Sequence, residues 1–254
     1  MMITPTGSDL SGRRAVVTGA ASGIGAAVAA RLAALHADVV VCDVDAEGAA
    51  RVAERIGGEA LVLDLSRTAD LGDLHLEADI LVNNAGVQNV APVERFSPEK
   101  FAFMLRLMLE APFLLSRAVL PYMYERRWGR IVHISSIHGL RASQYKAAYV
   151  SAKHGLQGLS KVIAMEGAAK GVTSNCVCPG YVRTPLVEDQ LADQAEIHGL
   201  SVDEVVADVL LARSAVKRLV DPDEVAGAVA FLCSPEATSI TGTQLTIDGG
   251  WSAS

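Results

Sequence analysis

Short runs of apolar, β-branched residues alternate along the chain with longer stretches of helical pattern. The first of these predict a strand at Arg14–Thr18, a helix at Gly23–Leu35, a strand at Asp38–Asp43 and a helix at Ala46–Ile56. The strands are apolar throughout, which is typical of a parallel sheet buried on both faces. Strand–helix–strand repeats join parallel strands through right-handed crossovers. The sequence therefore predicts an α/β fold, a Rossmann-like doubly wound parallel sheet.

The alternation continues towards the C-terminus. Further strands are predicted at Ala60–Leu65, Ala78–Asn83, Arg130–Ser135, Thr173–Cys178 and Gln244–Ile247, and helices from Ser97 and at Ala147–Lys170. Pro112 falls inside the helix that opens at Ser97 and is expected to bend it. No linker or repeat interrupts the pattern, so a single domain over residues 1–254 is predicted. The amphipathic segment 186–216 is predicted to form a helical lid over the substrate.

The composition excludes several classes of function. The chain has 22 Lys and Arg against 29 Asp and Glu, a net charge of −7, which argues against a nucleic-acid surface. Its four cysteines form no Cys-x-x-Cys pair and lie near no His cluster, so neither a metal site nor a disulfide framework is expected. There is no signal peptide and no apolar stretch near the ~20 residues of a membrane helix. A soluble, cytoplasmic protein without membrane partners is expected.

A glycine-rich loop joins the first predicted strand to the first helix. It runs Thr18-Gly-Ala-Ala-Ser-Gly-Ile-Gly25, and such glycines allow a pyrophosphate to approach the helix N-terminus. Alone, the glycines could serve only the turn and its packing, but the strand–loop–helix context favours dinucleotide binding. Asp43 ends the second strand, where a carboxylate accepts hydrogen bonds from ribose hydroxyls and repels a 2′-phosphate. The predicted cofactor is NAD rather than NADP.

These residues resemble the short-chain dehydrogenase/reductase family. The resemblance recurs in order from about residue 13 to residue 251, at Asp64-Leu65, Asn83-Asn84-Ala85-Gly86, Pro179-Gly180 with Thr184, and Ile247–Gly250. It implies a set of cofactor-binding residues, namely Gly19, Ser22, Gly23, Ile24, Gly25, Asp43, Asp64, Leu65, Asn83, Ala85, Gly86, Tyr149, Lys153, Pro179, Gly180, Val182 and Thr184.

Candidate catalytic residues lie around the second long helix. Tyr149 and Lys153 are four residues apart and therefore share one helix face. A tyrosine pKa of about 10 is too high for proton transfer near neutrality, and the neighbouring ammonium is expected to lower it. Alone, this pair is also common on solvated helix faces. The resemblance implies that Ser136 positions the substrate oxygen, Tyr149 transfers the proton and Lys153 also holds the nicotinamide ribose. Ser135 is the alternative serine.

One position departs from the pattern of the family. The family has an asparagine in the long helix that opens at Ser97, and Met108 stands there in this chain. A thioether donates no hydrogen bond and accepts poorly. The asparagine-bound water relay of the family is therefore not expected, and either another group orders the water or proton exchange is slower.

Four polar residues are expected on the substrate side of the nicotinamide. They are Gln88, His138, Lys146 and Gln190. Each alone is an ordinary surface or loop residue, but two potential cations and two amides together suit a small carboxylate. They resemble the 3-hydroxybutyrate dehydrogenase group of the family, which implies NAD-dependent oxidation of (R)-3-hydroxybutyrate to acetoacetate, with Ser136 and Tyr149 on the hydroxyl.

Two other functions remain open from the sequence. A family member of the same chemistry could act on another carbonyl compound, such as a 3-oxoacyl thioester, a sugar or a steroid ketone. A protein that binds NAD without turnover is favoured only by Met108. The family is commonly tetrameric, so a homotetramer is expected, with the helices at Ser97–Arg126 and Ala147–Lys170 available for subunit contacts.

Overall fold

The fold is built around one sheet of seven parallel strands. The computed structural model describes residues 9–185, 187, 188, 191, 195 and 199–253. Its strands are β1 Arg14–Thr18, β2 Asp38–Asp43, β3 Glu59–Val62, β4 Ile80–Asn83, β5 Gly129–Ile134, β6 Val172–Pro179 and β7 Gln244–Ile247. Their spatial order is β3-β2-β1-β4-β5-β6-β7, and each neighbouring pair is parallel. The predicted Rossmann-like sheet is confirmed.

Helices cover both faces of the sheet. The longer ones are α1 Gly23–Ala34, α2 Ala46–Ile56, α3 Pro98–Leu105, α4 Ala111–Glu125, α5 Ala147–Gly167 and α6 Pro222–Cys233. One apolar layer joins the strands to α1, α2 and α6, and the other joins them to α4 and α5. Both sides of the central strands are therefore buried, which explains why their sequences are apolar without alternation.

The strand order reverses between β1 and β4, and this places a cleft at their carboxyl ends. From β1 the chain winds to one edge through β2 and β3, then returns to the centre at β4. The return is short and holds one 3-10 helix, Thr68–Leu71, in which Leu71 is buried. Ligands of doubly wound sheets bind where the winding reverses. The site is therefore expected between β1 and β4.

The long helix predicted from Ser97 is interrupted near Pro112, as expected. The Ser97 hydroxyl accepts a hydrogen bond from the amide of Lys100 and begins α3. A π-helical turn, Arg106–Glu110, separates α3 from α4. Pro112 lacks the N–H that would bond four residues back, so regular α-helix is not maintained through this turn. The wider turn carries Met108 into the core below the cleft, where the side chain is 1% exposed.

Some predicted boundaries shift by a few residues. β3 ends at Val62, so Asp64 and Leu65 lie in the loop beyond the strand. Of the predicted lid, Leu186 and Gln190 lie outside the described residues, whereas Val202–Glu204 and Val205–Leu210 form helical turns. Closure of the lid stays a prediction. No helix in the described part of the chain is long and apolar enough to span a bilayer.

Candidate functional site

A cleft of about 430 Å³ opens at the carboxyl ends of β1 and β4. Most residues expected to bind the cofactor line it, namely Gly19, Ser22, Gly23, Ile24, Asp43, Asp64, Leu65, Ala85, Gly86, Tyr149, Lys153, Pro179, Gly180, Val182 and Thr184. They come from the ends of β1 to β6 and from the loops and helices that follow them, which the parallel topology brings to one end of the sheet.

The glycine-rich loop fits a dinucleotide because side chains are excluded from it. Gly19 has φ +63°, and a Cβ there would lie 2.7 Å from Cα of Ala85. Gly23 has φ +53°, and its Cβ would lie 3.2 Å from the Thr184 side chain. The loop leads directly into the N-terminus of α1, which favours an anion. The residues present therefore fit the pyrophosphate of a nicotinamide dinucleotide.

Two of the expected cofactor residues lie behind the cleft. A Cβ on Gly25 would collide with the carbonyl oxygen of Gly19, so this glycine serves close packing. Asn83 is 4% exposed and faces the α4–α5 side, where its Nδ2 lies 3.2 Å from Nδ1 of His133. Asn84 lines the cleft instead, and its Nδ2 donates to the carbonyl oxygens of Thr18 (2.9 Å) and Gly19 (3.0 Å). Side chains alternate along a strand, so Asn83 follows Leu81 into the core.

Asp43 is held in place at the end of β2. One carboxylate oxygen accepts the amide of Ala21 at 2.9 Å, and the other accepts the amide of Asp45 at 3.0 Å. Each oxygen keeps a further lone pair, so both ribose hydroxyls can still donate to it. The fixed negative charge faces the cleft.

Ser136, Tyr149 and Lys153 meet at the inner end of the cleft. Ser136 caps a 3-10 turn immediately after β5, and Tyr149 and Lys153 lie on the face of α5 towards it. Lys153 is 4% exposed, its Nζ donates to the Ile134 carbonyl at 2.7 Å, and Nζ lies 5.5 Å from the ring centre of Tyr149. Ser135 donates instead to the Lys153 carbonyl at 3.3 Å.

The pKa of Tyr149 differs from the expectation. Burial raises the pKa of Tyr149 to about 12, although a hydrogen bond from Ser136 acts in the opposite direction. Burial also lowers the pKa of Lys153 to about 8. The expected lowering of the tyrosine pKa is therefore wrong for this state of the site, because desolvation of the phenolate outweighs the hydrogen bond from Ser136.

A second cavity of about 270 Å³ adjoins the cleft near Ser136, Tyr149 and Lys153, which together are called the reaction centre below. It is lined by Lys146, Tyr181, Ser143, Arg213 and Trp251, among others, and Val187 lines both cavities. Nζ of Lys146 lies 3.4 Å from Nε2 of His138 and 3.4 Å from the Tyr181 hydroxyl. Burial lowers the pKa of Lys146 to about 8, so the ammonium persists at neutral pH.

The four expected substrate residues do not all converge. Lys146 lines the second cavity and contacts His138, but neither His138 nor Gln88 lines either cavity, and Oε1 of Gln88 accepts the Asn89 amide at 3.0 Å. Gln190 lies outside the described residues. His138 is not a cation, because burial and the charge of Lys146 lower its pKa to about 3. His138 therefore adds no positive charge, and the described cations that line the second cavity are Lys146 and Arg213.

Met108 is an apolar packing residue below the cleft. It packs with Met104, Ala148 and Ala152, and a Cβ on Gly86 would lie 3.2 Å from its Sδ. The thioether thus fills the region below the cleft. Among the described residues, no cluster of His, Cys, Asp or Glu could hold a metal ion, and the four cysteines are unpaired and buried.

Sequence reasoning missed several residues of the second cavity. Tyr181 and Trp251 pack around the imidazole of His138, with ring centres 6.4 and 6.1 Å away. Ser143 contacts Nε2 of His138 at 2.9 Å. Trp251 directly follows Asp248-Gly249-Gly250, part of the motif at Ile247–Gly250, so its place near the site could have been predicted from the sequence. Nothing in the sequence indicates the position of Ser143, since its contact with His138 depends on the fold of a loop.

Comparisons with known proteins agree with this geometry. A family model described as enoyl-(acyl carrier protein) reductase matches residues 19–252. A D-beta-hydroxybutyrate dehydrogenase of Rhizobium meliloti is 40% identical, with 95% of this chain and 99% of the relative covered. The 3-oxoacyl-[acyl-carrier-protein] reductase FabG of Escherichia coli is 36% identical, with 95% and 98% covered.

A solved structure of another protein has a similar fold along almost the full length of the chain. An Agrobacterium tumefaciens protein, provisionally described as a 2-deoxy-D-gluconate 3-dehydrogenase and holding bound NADP, superposes with a TM-score of 0.86 at 33% identity. The alignment covers 98% of this chain and 100% of that one. Together with the cleft and its serine, tyrosine and lysine, these matches show that the chain belongs to the short-chain dehydrogenase/reductase family of oxidoreductases.

Proposed function

We propose that the protein catalyses the NAD-dependent, reversible oxidation of (R)-3-hydroxybutyrate to acetoacetate. The observation that carries this proposal is the position of Lys146. Its ammonium lies at the boundary between the second cavity and the reaction centre, in contact with His138, whose ring centre is 6.0 Å from that of Tyr149. A carboxylate on Lys146 would leave the neighbouring carbons of a short acid near Tyr149 and Ser136.

The chemistry follows from the side chains of the reaction centre. Ser136 orients the C3 oxygen of the substrate, and the Tyr149 phenolate accepts the hydroxyl proton during oxidation. The Lys153 ammonium, anchored on Ile134, stabilises the phenolate. NAD, when bound along Gly19, Gly23 and Asp43, supplies the acceptor for the C3 hydride. In the reverse direction Tyr149 returns the proton to the carbonyl oxygen.

Fixed charges support the choice of cofactor and substrate. Asp43 presents a carboxylate where the 2′-phosphate of NADP would lie, and this favours NAD. The similarity to a D-beta-hydroxybutyrate dehydrogenase supports the small hydroxy acid. The similarity to FabG supports a second candidate, reduction of a 3-oxoacyl thioester, which would use the same Ser136, Tyr149 and Lys153 but would not need Lys146. NAD binding without turnover is disfavoured by these three residues.

The proposal extends to assembly and location. We propose a cytoplasmic homotetramer with a small carboxylate as its substrate and without nucleic-acid or membrane partners. Exposed apolar side chains on α4 and α5 support association, among them Phe113 (48% exposed), Val162 (55%) and Met165 (84%). Such side chains on neighbouring helices are typical of a subunit interface.

NADH formation, followed by absorbance, tests the function. The (R) acid should be oxidised rapidly, and the (S) enantiomer and a 3-hydroxyacyl thioester slowly. Tyr149→Phe should lower kcat at least about 100-fold while NAD still binds. Lys146→Met should raise KM for the acid about 10- to 100-fold, since a charged hydrogen bond is lost, whereas Lys100→Met on the exposed side of α3 should not. Turnover of the thioester alone would establish the second candidate instead.

A further inference from the structure

His138 lies between the reaction centre and the second cavity, and its two ring nitrogens face different partners. Nδ1 lies 3.4 Å from Oγ of Ser136. Nε2 lies 2.9 Å from Oγ of Ser143 and 3.4 Å from Nζ of Lys146. The side chain is 3% exposed and neutral near pH 7, so it carries one ring proton. The nitrogen that holds this proton determines which partners donate and which accept.

The partners of Nε2 favour a bare nitrogen at that position. An ammonium has only hydrogens to offer, so Lys146 can interact favourably with the Nε2 lone pair but not with an Nε2–H. The Ser143 hydroxyl rotates freely and can donate to the same lone pair at the shorter distance of 2.9 Å. The Lys146 contact therefore favours the tautomer with its proton on Nδ1, and in that tautomer the Ser143 hydroxyl donates to the bare Nε2.

The tautomer controls the hydroxyl proton of Ser136. Oγ of Ser136 already accepts the backbone amide of His138 at 3.1 Å. With the proton on Nδ1, the imidazole donates to the second lone pair of the same oxygen. Both lone pairs are then occupied, and the only remaining function of Ser136 is to donate. In the other tautomer Ser136 would donate to Nδ1 and could not donate to a substrate oxygen.

We propose that Ser143 is a positioning residue: with Lys146 it donates to Nε2 of His138, holds the ring proton on Nδ1, and so keeps the Ser136 hydroxyl proton available for the reacting oxygen. This inference deepens the proposed function and rests on it for the role of Ser136. It also changes the role expected of His138, because a bare Nε2 does not bind a carboxylate.

The backbone around Ser143 is fixed in a way that suits this role. Tyr145 has φ +66°, a left-handed conformation that is unfavourable for a bulky residue. Its carbonyl accepts the amide of Ala91 at 2.9 Å, and Ala91 also pairs with Lys146. These contacts stabilise a strained loop, which holds the Ser143 hydroxyl and the Lys146 ammonium on the same side of the imidazole.

The tautomer can be measured directly by ¹H–¹⁵N correlation through two bonds in protein labelled with ¹⁵N-histidine. Of the six histidines, the signals of His138 are identified by their loss in His138→Asn. We expect a protonated Nδ1 and a bare Nε2 in the unmodified protein without substrate. Ser143→Ala should move the signals towards the other tautomer, and Ser143→Thr, which keeps the hydroxyl, should restore them. Arg141→Ala, on the exposed surface of the same loop, should leave them unchanged.

Kinetics provide a second readout with whichever acid or ketone the enzyme turns over. Ser143→Ala should lower kcat about tenfold with little change in KM, less than the 10²- to 10³-fold typical of complete loss of an oxyanion donor. Ser143→Thr should recover it. A proton on Nε2 in the unmodified protein, or an unchanged tautomer in Ser143→Ala, would overturn the proposal. Since the spectra need no substrate, they decide it even if 3-hydroxybutyrate is not oxidised.

Discussion

Nζ of Lys153 donates a 2.7 Å hydrogen bond to the carbonyl oxygen of Ile134, the last residue of β5. The bond joins α5 to the central sheet at the position where the ammonium faces the ring of Tyr149. A lysine side chain has many rotamers in solution, and this bond holds one of them. The electrostatic partner of the phenolate is thus fixed before any ligand binds.

Removal of this ammonium should shift the pH dependence of oxidation upwards. Without Lys153 the phenolate loses its stabilising charge, so the pKa of Tyr149 rises further and more alkaline conditions are needed to form the base. We expect Lys153→Met to lower kcat/KM for the acid about 100-fold at pH 7, below the Lys153 pKa of about 8, and to move the rise of its pH–rate profile to higher pH. Lys161→Met, exposed on the same helix, is the control. An unshifted profile would separate Lys153 from the ionisation of Tyr149.

Carboxylate binding should weaken as the pH passes about 8. Burial lowers the pKa of Lys146 from 10.5 to about 8, so its ammonium is present below that pH and lost above it. The dissociation constant of a non-reactive short carboxylate, measured by calorimetry, should therefore rise between pH 7 and pH 9. In Lys146→Arg the charge persists and the rise should disappear. A rise that remains in this variant would indicate titration of another group.

Loss of the carboxylate at Asp43 should change the cofactor preference. Asp43 faces the cleft at the end of β2, and under the proposed NAD preference its charge would repel the 2′-phosphate of NADP. Asp43→Asn should weaken NAD binding and tighten NADP binding, with a combined change in preference of about 10- to 100-fold, the range of one charged hydrogen bond. Fluorescence titration with both reduced cofactors measures it. Glu54→Gln on the exposed surface of α2 should not change the ratio.

Asp79 lies directly before β4, at the end of the sheet opposite the cleft, and should contribute to stability without affecting turnover. Its side chain is 1% exposed and contacts Arg13 at 2.9 Å and Arg126 at 3.1 Å, and it accepts the Arg14 amide at 3.0 Å. Asp79→Asn should lower the free energy of unfolding by about 2 kcal/mol, because both guanidinium groups lose their negatively charged partner but remain partly solvated. Urea unfolding at fixed protein concentration measures this, and kcat should stay unchanged.

The sequence predicts the sheet, the glycine loop and the position of Ser136, Tyr149 and Lys153, because these features depend on local patterns and on their order. Contacts that depend on tertiary packing could not be predicted as well from the sequence. Asn83 and Asn84 look equivalent in the sequence, yet side-chain alternation at the end of β4 sends one into the core and the other into the cleft. The neutrality of His138 depends on burial and on the nearby Lys146 charge, which only the folded chain provides.

The apolar surface of α5 should be needed for subunit association. Val162 and Met165 are three residues apart, on one helix face, and are 55% and 84% exposed. Burial of such a patch between subunits would remove it from water, whereas an introduced charge would have to be desolvated there. Val162→Lys with Met165→Lys should therefore give a smaller species in sedimentation velocity. Val93→Lys, at a residue 75% exposed outside these helices, should leave the assembly unchanged. An unaltered sedimentation coefficient in the double variant would place the interface elsewhere.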